Sequence, residues 1–105
     1  MKPKLIGKFQ TNYGMGMVYL SAYCYDPKFP AIVINSLHGE PIATLTVYIE
    51  GVVLQDGELL VKTWSENERI AQQALESGLF EDTGKRVPTG FVEAQVWRFA
   101  DKGER

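Results

Sequence analysis

One cysteine, Cys24, and one histidine, His38, are all that the 105 residues contain of the two side chains most used for metal binding and nucleophilic chemistry. A lone thiol excludes an internal disulfide, and a His–Cys dyad or a metal site would need its other members brought from distant carboxylates. No constellation supports catalytic residues, a cofactor or a metal, so the expectation is a protein that is not an enzyme. Excess charge is missing as well. Eleven Lys and Arg against 13 Asp and Glu leave a formal −2, which gives no general attraction for nucleic acid or an anionic membrane surface. Neither a run of roughly 18 apolar residues nor a charged-then-apolar leader occurs, which points to a soluble, cytoplasmic chain. There are no internal repeats, low-complexity tracts or linkers, so residues 1–105 are expected to form a single domain, with only Asp101 to Arg105 prone to fray.

What is present reads mostly as strand, organised around one helix. Ser65 stands where an N-cap is wanted and Glu68 follows in the capping-box position. Glu66 and Glu68 place negative charge in the first turn, and Gly78 offers the left-handed residue that closes a helix. These signals set a helix at about 66–77. Ile70, Ala71, Ala74 and Leu75 form its apolar stripe. A helix of roughly 12 residues is marginal alone in water, so the stripe is expected to lie on a sheet, with Leu79 and Phe80 continuing the contact.

Before the helix, residues 4–10 read as a first strand and Thr11-Asn12-Tyr13-Gly14 as a hairpin turn. Over residues 16–25 parity separates Val18, Leu20, Ala22 and Cys24, the core side, from Met17, Tyr19, Ser21, Tyr23 and Tyr25. The prolines of Asp26-Pro27-Lys28-Phe29-Pro30 are expected to break the sheet, after which residues 31–35 form a central strand and Ser36 to Glu40 a turn. From Pro41 to about Glu50, Ala43, Leu45, Val47 and Ile49 alternate with Ile42, Thr44, Thr46 and Tyr48. Glu58 to Trp64 resumes the strand pattern, residues 81–90 have the composition of an ordered loop, and Phe91 to Phe99 close the chain as a last strand. The fold class expected is α+β: a curved, mainly antiparallel sheet of about six strands with one helix packed on one face. The strands near 4–10 and 91–99 are expected at sheet edges, where exposed pairing groups invite a weak homodimer.

Short motifs for chemistry fail on their flanks. Asp82-Thr83-Gly84 matches the aspartic-protease triplet, but Glu81 precedes it where an apolar strand is required and Lys85 follows where a small residue is required. Gly84-Lys85 lacks the upstream glycine and the following Ser or Thr of a phosphate loop. Glu66 and Glu68 diverge on a helix too far to act as an acid–base pair. The surviving candidate is a binding surface made of Tyr19, Tyr23 and Tyr48 with a small basic spot at Lys85 and Arg86, to which Lys62 and Arg98 can add. Strand tyrosines pack well across strands and also serve as recognition anchors, so both readings stay open.

Val61-Lys62-Thr63-Trp64-Ser65-Glu66-Asn67-Glu68 and the segment from Gly78 through Glu81-Asp82-Thr83-Gly84-Lys85-Arg86-Val87-Pro88-Thr89-Gly90-Phe91-Val92 to Ala94 resemble a family of short uncharacterised proteins of bacteria, phages and plasmids, a domain of unknown function. Residues 1–50 show no such likeness. The resemblance implies no catalytic residues. It implies a mobile-element setting, in which small acidic proteins block host defence. The function expected is therefore a small non-enzymatic protein-interaction domain, an accessory or anti-defence inhibitor that binds a host or phage protein. The alternative is a nucleic-acid-binding module that stacks bases on the tyrosines and holds phosphate with Lys85 and Arg86.

Overall fold

Apolar alternation resolves into seven strands and one helical segment. In chain order they are β1 (Lys4–Thr11), β2 (Gly14–Tyr23), β3 (Asp26–Asn35), β4 (Pro41–Thr44), β5 (Glu58–Val61), a 3-10 turn (Ser65–Asn67) running into α1 (Glu68–Glu76), β6 (Phe80–Thr89) and β7 (Val92–Phe99). The computed structural model describes residues 3–23 and 26–100, and the side chains of all of these except residues 26–28. Cys24 and Tyr25, and the tail from Asp101 that is expected to fray, lie outside the described residues. The strands form two antiparallel sheets, β1-β2-β3-β4 and β5-β7-β6. The α+β class is thus found, with the sheet divided in two. None of the described helices is long and apolar enough to cross a membrane.

Inner faces of the two sheets share one core. Phe9, Val18, Ile32 and Ile34 of the first meet Leu59, Val61, Phe80 and Trp97 of the second, and the α1 stripe Ile70, Ala71 and Ala74 packs against both. The expected hairpin after β1 is present. Thr11 pairs with Gly14, whose φ of 103° only glycine adopts easily, and Thr11 Oγ1 donates to the Gly14 carbonyl at 2.7 Å while accepting the Tyr13 N–H at 2.9 Å. On the far side of the second sheet, Leu60, Ala94 and Val96 are buried with Phe29 beneath Tyr23, Tyr48, Trp64 and the segment from Val47 to Leu54.

The two sheets are joined at a corner. Leu45 N donates to Ile32 O at 2.8 Å, Lys62 N to Leu45 O at 2.9 Å and Val47 N to Leu60 O at 3.0 Å. Within a few residues the chain leaves the edge of the first sheet and joins β5 of the second. This corrects the single strand expected from Pro41 to Glu50: β4 stops at Thr44, Leu45 enters the main core, and Val47, Tyr48 and Ile49 all join the second cluster, so the parity ends at the corner.

Four further expectations are corrected. Pro27 and Pro30 lie inside β3 rather than breaking the sheet. β4 pairs only with Val33 to Asn35, so the proline end of β3 has a ladder on one side and a missing N–H disturbs nothing on the other. Residues 81–89 belong to strand β6 rather than to a loop, and only Gly90 of the expected loop is a turn. Gly84 at φ 91° carries a bulge between Asp82 and Arg86 that absorbs the turn-like residues, after which pairing with β7 resumes to Thr89. β7 is the centre of the second sheet and cannot offer an edge. β1 is an edge, guarded by exposed Lys4 and Lys8.

The helical segment, 65–76 with its 3-10 turn, lies where it is expected, and the fourth correction concerns its cap. Ser65 has a left-handed backbone, φ 60°, and lies within the 3-10 turn, and neither that turn nor α1 carries a side-chain cap. The capping box is not formed, and α1 begins at Glu68. Gly78, at φ 85°, does stand just beyond the helix as expected. A serine in the left-handed region is strained, so Ser65→Gly is expected to leave stability unchanged or raise it by up to ~1 kcal/mol. Urea midpoints check this, since a lost cap would lower them instead.

Candidate functional site

Each cation of the expected basic spot is held by a carboxylate of the same chain. Arg86 meets Asp82 through two parallel hydrogen bonds, Nη1 to Oδ1 and Nη2 to Oδ2, both 2.9 Å. Lys85 pairs with Glu58, Arg98 Nε with Glu81 at 2.8 Å, and Lys62 Nζ with Glu66 at 2.8 Å. The strand geometry causes this. Glu58 of β5 and Glu81 of β6 both stand opposite Arg98 of β7, and Asp82 and Arg86 flank the register shift at Gly84. The protease-like triplet is equally engaged. Asp82 Oδ1 accepts the Gly84 N–H at 2.9 Å, and Thr83 Oγ1 donates to Val96 O at 2.6 Å. Among the described residues no three of His, Cys, Asp and Glu converge as a metal site would need.

These pairs shift the carboxylates. Burial pushes Glu58 up, but the Lys85 ammonium, the Gln55 N–H and Arg98 together hold it below its ordinary value. The Lys62 ammonium, backbone N–H and Ser65 pull Glu66 down to about 2. The Arg86 guanidinium, against some burial, lowers Asp82, and Asp82 in turn raises Arg86. A carboxyl depressed in the fold contributes stability above its unfolded value, here 4.5 for Glu and 3.8 for Asp, and loses it as pH falls through the folded value. Urea midpoints are therefore expected to hold between about pH 7 and 5 and to fall from about pH 4.5 downward. Glu58→Gln should make the fall shallower.

The three tyrosines do not share one face. Register shifts between Ala22 and Tyr23, and this corrects the parity that grouped Tyr23 with Tyr19. Tyr23 turns into the second cluster, its ring 6.1 Å from Phe29 and 5.7 Å from Tyr48, with Tyr48 4.8 Å from Phe29. The Tyr23 hydroxyl lies 3.2 Å from Thr46 Oγ1. Both tyrosines thus belong partly to a second core layer. Tyr19 remains on the outer face of the first sheet, in a row Leu5–Tyr19–Val33–Thr44 across all four strands. Met15 and Met17 lie beside it on β2. This face is half-exposed, is apart from both core clusters, and β1 to β4 carry no carboxylate except Asp26 at the start of β3.

At the corner itself the sheets part around an open cleft of about 480 Å³ lined by Tyr23, Tyr48, Ile42 to Thr44, Lys62, Glu66 and Asn67. Asn67 is the residue that sequence reasoning missed. It is 1% exposed, and its Nδ2 donates to Thr44 O at 2.8 Å and Lys62 O at 3.1 Å. Two carbonyl partners identify that atom as nitrogen, because an oxygen there would face two acceptors. An asparagine just before a helical stripe reads as a cap, and nothing local shows that it reaches back to β4 instead. Neither a protein-family model, a curated protein nor a solved structure matches the chain.

Proposed function

We propose that the chain is a small non-enzymatic protein-interaction domain, an accessory or anti-defence factor of a mobile element that acts by binding a host or phage protein. The mobile-element setting rests on the family resemblance of residues 61–94. The binding mode rests on one observation, the outer face of β1–β3, where Leu5 is 50% exposed and Met15, Met17, Tyr19 and Val33 form a half-exposed apolar patch without a carboxylate. Tyrosine and methionine are enriched at protein interfaces, the first as a rigid anchor and the second as an adaptable one. The nucleic-acid alternative loses support from the pairing of Lys62, Lys85, Arg86 and Arg98, since a phosphate would have to displace four carboxylates.

Capture from host lysate tests this reading. Wild type is expected to retain a protein partner after nuclease treatment, and Met17→Ser/Tyr19→Ser to weaken it by ~30-fold or more, the loss of about 2 kcal/mol typical of a truncated interface anchor. The variant should keep its urea midpoint to within about 1 kcal/mol, because both side chains stand on an uncovered face. Partners that vanish with nuclease, or that bind the variant as tightly, overturn the proposal.

A further inference from the structure

The geometry points to a second binding site, the cleft at the corner, which takes one residue of an extended partner segment along the free edge of β4. The reading shares with the outer-face proposal only the premise that the chain binds protein. Leu45 N bonds inward to Ile32 O, and antiparallel alternation then turns the N–H and C=O of the neighbouring Thr44 outward, toward the cleft that Thr44 lines. The Thr44 carbonyl is already taken by Asn67 Nδ2 at 2.8 Å, so the Asn67 carboxamide occupies one rung of an absent neighbouring strand. What is left is a complementary pair: the outward Thr44 N–H as donor, and Asn67 Oδ1 as acceptor. That oxygen accepts no hydrogen bond within the described chain, although the residue is 99% buried by its 1% exposure, and it is not sealed from solvent. An amide oxygen that opens only onto the cleft is an acceptor that water or an entering N–H can reach.

One residue in extended backbone turns its own C=O and N–H, from two consecutive amides, to the same side, the first for the Thr44 N–H and the second for Asn67 Oδ1, which is strand addition at an open edge. Charge argues for a neutral segment. Lys62 and Glu66 at the rim neutralise each other at 2.8 Å, so neither an anionic nor a cationic ligand finds an unmatched partner there. Tyr48 and Ile42 provide the apolar walls for alternate side chains.

The test selects linear heptapeptides from a random displayed library on the purified full chain, then maps binding by backbone amide shifts. The expected result is an uncharged peptide that shifts the Thr44 amide and the Asn67 side-chain NH2 resonances. Methylation of its central backbone nitrogen should weaken it about tenfold, the scale of one lost hydrogen bond. Thr44→Pro, tolerated at an edge strand, should weaken the unmodified peptide similarly. Equal affinity of the N-methylated peptide, shifts confined to Met17 and Tyr19, preference for an oligothymidylate probe, or no selectable peptide each overturns the site. The lysate capture fails independently of these outcomes, because it reads the outer face.

Discussion

Trp97→Ala is expected to cost about 3 to 5 kcal/mol, the range for deleting a large aromatic from a closed core. Trp97 has no exposed surface and stands on the central strand of the second sheet, paired with Leu59 on one side and Asp82 on the other. Its ring centroid is 5.9 Å from that of Phe80, and the same cluster includes Ile70 and Ala74 of α1 and Ile34 of the first sheet. The cavity would therefore open where both sheets and the helix meet, and no single element can collapse to fill it. Small domains have only about 5 to 15 kcal/mol in total, so the variant should be largely unfolded in low urea. A midpoint shift worth less than about 1 kcal/mol would show that the three layers are not coupled through this side chain.

Such coupling explains why two short sheets suffice. Neither sheet buries its apolar face alone, and a nine-residue α1 cannot cover seven strands. The first sheet packs its inner face on the second and leaves its outer face to solvent, while the second is covered on both faces, by the core on one and by the segment from Val47 to Leu54 on the other. The asymmetry leaves one uncovered apolar face and one cleft at the corner, and both proposed binding surfaces follow from it.

How much of this was legible in the residues depends on the range of the interaction. Strands β1, β2, β5 and β7, the Thr11–Gly14 hairpin, the helix stripe and its Gly78 stop are local patterns, and they are found close to where alternation and turn chemistry place them. Misreadings arose where a long-range partner overrode a local signal. Asp82-Thr83-Gly84 has turn composition, yet β7 holds it as a bulge inside a strand, because Thr83 reaches Val96 O. Ser65 and Glu68 match a capping box, but the hand-over from β5 forces Ser65 to φ 60°. Tyr23 and Tyr48 follow the parity of their strands only until a register shift and a corner, neither of which alternation encodes. Of the binding residues expected, Tyr23 and Tyr48 line one cleft, Tyr19 lies on a different face, and Lys85 and Arg86 are engaged in ion pairs.

Asn67→Ala is expected to destabilise by about 2 to 4 kcal/mol, because it strands two acceptors, and a buried group left without its partner costs about 1 to 3 kcal/mol. The Thr44 and Lys62 carbonyls are those acceptors, at 2.8 and 3.1 Å, and the bonds fasten the corner of the first sheet to the start of the helix. Water entering from the cleft can reach Thr44 O, which keeps the cost below the sum of two full penalties. Asn67→Asp is the sharper test, since only the geometry changes sign with pH. An ionised carboxylate has no donor for two facing carbonyls, so the fold disfavours its charged form and raises its pKa above the ordinary value of ~3.9. The protonated acid can donate to one of them. A group raised in the fold contributes most below its unfolded pKa and loses that contribution as pH rises through the folded one. Urea midpoints of Asn67→Asp should therefore improve relative to wild type as pH falls from about 7 to 4, while wild type itself only holds or declines. A constant difference between the two proteins across that range would mean that Asn67 does not hold the corner through its Nδ2, and the cleft would lose the residue that shapes it.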